Sequence, residues 1–152
     1  MKLTIRETTA DDLSRLAPLF DAYRVFYGRT SNTYAAQLYL NERMRRNESK
    51  IFIAEDLESH QMIGFTQLYP GFSSLRLGRL WNLEDLFVRG DMRRCGVASA
   101  LMERAETFVR ESHAVGLALS TAHTNANANA LYTKRGWKRD EAFAYYFLWF
   151  EG

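Results

Sequence analysis

The stretch Val88-Arg-Gly-Asp-Met-Arg-Arg-Cys-Gly-Val-Ala98 joins two patterns that belong to different secondary structures. Before it, Leu86-Phe87-Val88 is an apolar run of strand type. After it, Val97, Leu101, Ala105 and Phe108 recur at helical spacing. A strand therefore enters a turn here and leaves as a helix. The turn carries Arg93, Arg94 and Gly96. The first amides of a helix have no intrahelical partner, and the helix dipole places partial positive charge on them. A glycine at that point lets the backbone approach an oxyanion with no Cβ in the way. The junction can seat a phosphate. Many helices begin near a glycine, however, so the rest of the chain has to supply the context.

Working upstream, Leu80 to Val88 reads as one strand, and Pro70-Gly71 breaks the chain before it. Ser49–Asp56 and Met62–Tyr69 read as a hairpin around a polar loop. A helix is expected from about Asn32 to Arg46. Another is expected over Asp11–Phe26, where Leu13, Leu16, Phe20, Tyr23 and Tyr27 share a face. Pro18 lies within this second helix, Thr9 and Asp12 form a capping-box pattern before it, and Gly28 ends it. Lys2–Glu7 is the first strand. Downstream, a helix over Gly96–Ser112 leads to a strand over Val115–Thr121. A helix over Asn125–Lys134 follows and stops at Gly136. Two more strands are expected, one from Trp137 and one over Ala144–Phe150. The last of these is apolar on both faces, so it is covered either within the fold or by a partner subunit. The order β-α-α-β-β-β-α-β-α-β-β predicts an α/β fold. Its sheet is mixed and mostly antiparallel, with about seven strands and about four helices.

The bulk properties narrow the classes. The 152 residues fit a single domain spanning the chain. With 47% hydrophobic and 25% charged residues, disorder is excluded. A net charge of +2 argues against a nucleic-acid partner. The basic cluster Arg43-Met-Arg-Arg46 is accounted for by its place at a helix C-terminus. No apolar run reaches membrane-spanning length, and Met1-Lys-Leu-Thr-Ile-Arg has no apolar leader core. A cytoplasmic location is expected. Cys95, the single cysteine, cannot form an internal disulfide or build a metal cluster with three scattered histidines, so no metal is expected. A small filler at this position explains it better than a nucleophile does.

A second pattern lies downstream: Asn125, Ala128, Leu131, Tyr132, Gly136 and Trp137 form the frame N-x-x-A-x-x-L-Y-x-x-x-G-W. Together with Arg93-Arg-Cys-Gly96-Val-Ala98, it resembles the GCN5-related N-acetyltransferase (GNAT) superfamily. That family carries R/Q-x-x-G-x-G/A after its fourth strand and a run of this kind after its fifth. The element order agrees along nearly the whole chain. Ala98 stands where many members have glycine. The resemblance implies acetyl-CoA as cofactor, its pyrophosphate on the loop of Arg93, Arg94, Cys95, Gly96, Val97 and Ala98. Its pantetheine arm would run along Leu86, Phe87 and Val88, with Asn125 and Tyr132 also in contact. It further implies direct attack by an amine, which needs no catalytic Ser or Cys. A base must then take the amine's proton, and an amide near Val88 would steady the carbonyl oxygen. Tyr132 matches the family tyrosine that protonates the departing thiolate.

Glu84 is the candidate base, because the family often carries a glutamate in this strand, and Asp85 is its backup. Adjacent strand residues face opposite ways, so only one can face the cleft unless a bulge intervenes. The family's fourth strand does carry such a bulge. Tyr23, Phe26 and Tyr27 are expected to line the acceptor cleft, with Trp81, Glu84 and Asp85. Aromatic rings and carboxylates suit a cationic amine. The acceptor is then a polyamine or diamine, a lysine-like amino acid or a protein lysine. The run Leu-Glu-Asp-Leu-Phe-Val is similar to the polyamine and thialysine acetyltransferases. Membranes are not expected partners, and a homodimer is expected. A competing class is a non-catalytic acyl-CoA-binding regulatory module on the same fold. A phosphate-loop nucleotide hydrolase is disfavoured, because no Lys-Ser/Thr follows the loop.

Overall fold

The structure, a computed structural model, describes residues 1–151, which form two compact units: Met1–Ser120 and a second beginning at Thr121. In the first unit the chain runs β1 (Leu3–Glu7), α1 (Leu13–Phe26), α2 (Thr33–Arg45), β2 (Lys50–Asp56), β3 (Gln61–Ser73), β4 (Gly78–Val88), α3 (Val97–Glu111) and β5 (Gly116–Leu119). The second unit holds α4 (Ala126–Lys134).

The sheet order is β1-β2-β3-β4-β5. The first three pairings are antiparallel and β4–β5 is parallel. The fold is therefore the mixed, mostly antiparallel α/β sheet expected, with five strands among the described residues rather than about seven. The missing two are those expected from Trp137 and over Ala144–Phe150. That segment has strand-type residues but no hydrogen-bonded ladder. Strand propensity is a preference for a paired, half-buried surface, and without a partner strand it builds nothing. Tyr145 to Phe150 are between 70% and 93% exposed, so burial within the fold is not their state here.

Pro70-Gly71, expected to break the chain, does not break β3. Both residues pair with β4, opposite Trp81 and Leu80. The pairing of β3 with β2 ends at Leu68. Beyond that point β3 has a free edge, where a residue lacking an N–H is tolerated.

Alternation along β2 sends Ile51 and Ile53 to one face and Phe52 and Ala54 to the other. On the first face they meet Leu16, Leu19 and Phe20 of α1 and Ala36 and Leu40 of α2. On the second they meet Val97, Leu101, Ala105 and Val109 of α3. The sheet is thus sandwiched, with its core in two layers. Gly64 lets α3 and β4 come close: a Cβ there would lie 2.9 Å from the Phe87 carbonyl and 3.3 Å from Leu101 Cδ1.

The helix ends follow local chemistry. The Thr9 N–H donates to Asp12 Oδ2 at 2.8 Å ahead of α1, as the capping pattern predicts. Gly28, Asn47, His113 and Gly136 each take a left-handed conformation just past a helix. At Gly28 the amide bonds to Val25 O, and that of Arg29 bonds to Arg24 O, which closes α1. The α1 helix runs on through Pro18.

Candidate active site

The site begins with a count of residues in β4. Asp85 stands opposite Gln67, whereas Leu83 stands opposite Leu68, so Glu84 is an extra residue without a cross-strand partner. This is a β-bulge. Its effect is to exchange the two faces of the strand. Before it, Trp81 and Leu83 point to the α3 layer. After it, the same odd-numbered parity turns over, and Phe87 packs in the α1–α2 layer while Leu86 and Val88 pack against α3. Asp85 shares the parity of Phe87. An uninterrupted strand would have sent it to the α3 side.

The carboxyl of Asp85 is buried under α1. Gln67 Nε2 donates to its Oδ2 at 2.7 Å, and the Tyr23 hydroxyl also bonds to it. Among the described residues no cation pairs with it. Burial, set against those two hydrogen bonds, pushes its pKa up to about 6. Burial and the neighbouring Asp85 hold the Tyr23 phenol well above its usual range. Tyr69 is likewise raised, first by burial and then by its hydrogen bond with Tyr39, whose hydroxyl lies 2.6 Å away. Glu84 is exposed, and Asn82 Nδ2 donates to its Oε2 at 2.6 Å.

Aromatic rings from α1 extend this cluster. Tyr23 sits edge-on to Phe65, Phe87 and Tyr27, at centroid distances of 5.7, 5.9 and 5.1 Å. Phe26 and Tyr27 are 57% and 60% exposed, so they form the open rim. Trp81 does not join them: it packs edge-on against Phe108 at 5.1 Å, in the α3 layer.

On its other edge β4 is open beyond the bulge. Parallel pairing with β5 ends at Leu83 and Leu119, while β4 continues to Val88. The Arg89 amide donates to Ile63 O on the β3 side at 2.9 Å. Alternation of an extended chain then points the N–H and C=O of Val88, and of Leu86, to the open edge, and those of Phe87 toward β3. Arg93 Nε reaches the Val88 carbonyl at 3.2 Å, and its guanidinium lies 4.9 Å from the Phe26 ring centroid. After Arg93 the chain turns through two left-handed residues, Arg94 (φ 64°) and Gly96 (φ 76°), into α3. Nothing lies within 4 Å of where a Gly96 Cβ would be, so the turn opens outward. Cys95 is exposed beside it, with its thiol 3.6 Å from Arg93 O.

These features meet an independent comparison. The model of the acetyltransferase (GNAT) family matches residues 16–137. The chain belongs to that family. It is 39% identical over 146 residues to an uncharacterized N-acetyltransferase, YhfO, of Bacillus subtilis, covering 96% of this chain and 97% of the relative. A crystal structure of a probable acetyltransferase superposes with a TM-score of 0.92 at 40% identity, over 98% of this chain and 99% of that one. A ribosomal-protein-alanine N-acetyltransferase from Brucella melitensis biovar Abortus shares the fold, with a TM-score of 0.81 at 18% identity, over 97% of this chain and 99% of that one.

This acetyltransferase has an open-edged strand and an outward turn that leads into the N-terminus of α3. They fit the acetyl-CoA that the family generally uses. In the second unit, Asn125 caps α4: its Oδ1 accepts from the Ala128 amide at 3.2 Å. Tyr132 lies on α4, its ring 6.2 Å from that of Trp137. Among the described residues, no three His, Cys, Asp or Glu side chains are grouped to hold a metal ion. No helix among them is long and apolar enough to cross a membrane.

Three contributors escaped the sequence reading: Gln67, Tyr39 and Thr66, whose hydroxyl donates to the Asp85 carbonyl at 2.8 Å. One signal was present. Gln67 follows Phe65 at two-residue spacing, so it falls on the same side of the strand as that apolar ring. A buried amide needs a polar partner.

Proposed function

We propose that this acetyltransferase transfers an acetyl group from acetyl-CoA to a primary amine that enters between α1 and β4. The observation that carries the reading is Asp85: a buried carboxyl, unpaired with any cation among the described residues and poised at about 6. A group with that affinity can take a proton near neutral pH. Tyr23, Tyr69 and the rim of Phe26 and Tyr27 suit the alkyl stem and cationic head of an amine. A polyamine, a diamine, a lysine-like amino acid or a protein lysine meets that description, and Glu84 at the exposed side suits a second positive charge.

When bound, acetyl-CoA supplies the thioester that the amine attacks. The amides of Arg94, Cys95, Gly96, Val97 and Ala98, with the Arg93 and Arg94 side chains, would hold its pyrophosphate. The open-edge groups of Leu86 and Val88 would orient the pantetheine arm, and the Val88 N–H would donate to the acetyl oxygen as it gains charge. Asp85 accepts the amine's proton, with Glu84 as the alternative acceptor through water. Tyr132 would give its proton to the departing thiolate, and Asn125 would contact the cofactor. The net reaction forms one C–N bond, breaks one C–S bond and moves one proton from nitrogen to sulfur.

The test is a melting curve with acetyl-CoA followed by a thiol-release assay over diamines, polyamines, lysine analogues and lysine peptides. Saturating acetyl-CoA is expected to raise the melting temperature, because a ligand of the folded state stabilises it. No shift removes the cofactor. A shift with no thiol release from any amine leaves a binding module. Full turnover by Tyr132→Phe removes Tyr132 as the donor. The reading also keeps a cytoplasmic location and a homodimer, and the exposed apolar run from Tyr145 to Phe150 supports the homodimer. Sedimentation at the mass of one chain would remove the dimer.

A further inference from the structure

Gln67 is fully buried, in register with Asp85 on the neighbouring strand. Its Nε2 donates to Asp85 Oδ2 at 2.7 Å, while its Oε1 is buried with no hydrogen-bond partner among the described residues. A buried amide normally satisfies both ends. Here the site offers one polar neighbour to a side chain with two heads. Whichever head meets Asp85, the other is left unpartnered, so the two orientations carry a similar burden. What separates them is the charge on Asp85. An ionised carboxylate only accepts and needs the N–H₂; a protonated carboxyl can donate and needs the C=O.

We infer that Gln67 is the positioning residue of the proton acceptor, and that its amide turns over when Asp85 gains or loses a proton. The inference rests on Asp85 being the base. An arginine or lysine at this position would lock the carboxylate in its charged form, and a leucine would leave it without support from β3. A glutamine serves both forms, and each turnover of the enzyme passes through both. The other groups that face Asp85 do not supply this. Tyr23 of α1 bonds to it from above. Glu84 of β4 acts on Asp85 through charge, while Tyr69 of β3 stays a neutral phenol under the charge of Asp85, hydrogen-bonded to Tyr39 of α2. None of them is a carboxamide.

Two measurements test this. In the unmodified protein, the side-chain amide protons of Gln67, followed by NMR against pH, should shift with the midpoint of Asp85, and Asp85→Asn should abolish the transition. In Gln67→Met, the acidic limb of the kcat/KM profile should move up by about one pH unit. The loss of a donor to the charged form raises the carboxyl pKa. The loss of kcat/KM should be largest on the acidic side, with KM for acetyl-CoA unchanged. A Gln67 signal that does not titrate, or a pH-independent drop in Gln67→Met, would overturn the inference and leave the base standing. Retained activity in Asp85→Asn would overturn the base itself. The NMR arm holds even where Gln67→Met fails to fold.

Discussion

The proposed cofactor side and the proposed acceptor side of this acetyltransferase are built in opposite ways. The turn from Arg93 to Gly96 is made of backbone: two left-handed residues, exposed arginines and the first amides of a helix. The Asp85 cluster is made of side chains, with Gln67 of β3 and Asp85 of β4 buried and Tyr23 of α1 half-buried over them. A backbone seat works by shape and by a dipole that cannot titrate. A buried side-chain cluster works by protonation and is sensitive to every partner. Under the proposed function, binding and chemistry fall to parts that can fail separately.

The largest expected effect breaks the acceptor side. Asp85→Asn should lower kcat/KM by about 10²- to 10⁴-fold while leaving the acetyl-CoA melting shift intact. A variant that loses the shift as well would show the two parts to be one. Asp85→Asn carries a second outcome. Folding raises this carboxyl from 3.8 to about 6, so the native chain holds the proton more tightly than the unfolded one. Its contribution to stability is present below the lower value and is lost as pH rises through the upper one. The variant should therefore melt no lower than the parent at pH 8.

A smaller effect sharpens the comparison through pH. In the parent, kcat/KM should rise as pH passes about 6, because Asp85 must be ionised to accept a proton. Initial rates across pH 5 to 8 check this, and a flat profile would place the base elsewhere. The smallest effect comes from the cofactor side. Gly96→Ala places a Cβ on a residue at φ 76°, a strain of about 1–2 kcal/mol. Acetyl-CoA affinity should weaken on the order of tenfold, an amount equal to about 1.4 kcal/mol. The acidic limb should not move. Titration calorimetry beside the pH profile separates the two.

The same contrast explains what the residues disclosed in advance. The turn was legible because everything it needs is local: an apolar strand, a glycine and a helical period within one short segment. The helices and the first five strands were legible for the same reason. The face to which Asp85 points was not. It depends on one residue of slippage between β3 and β4, and on Gln67 and Tyr23, which are distant in sequence. The run from Tyr145 to Phe150 misled in the other direction. Its residues favour strands, but a strand also needs a neighbour.

The extra residue at Glu84 also bears on how relatives should be compared. The chemistry of β4 is encoded partly in how many residues it has rather than in which ones. Removing the extra position between Leu83 and Asp85 would abolish the bulge and leave Asp85 to Val88 on their present faces, whereas keeping that position in a strand that paired without the bulge would exchange the inward and outward sets. In an alignment, a one-residue gap at Glu84 keeps the carboxyl of Asp85 facing inward and removes only the exposed carboxylate beside it, so such a gap should not be scored as a loss of the proposed base.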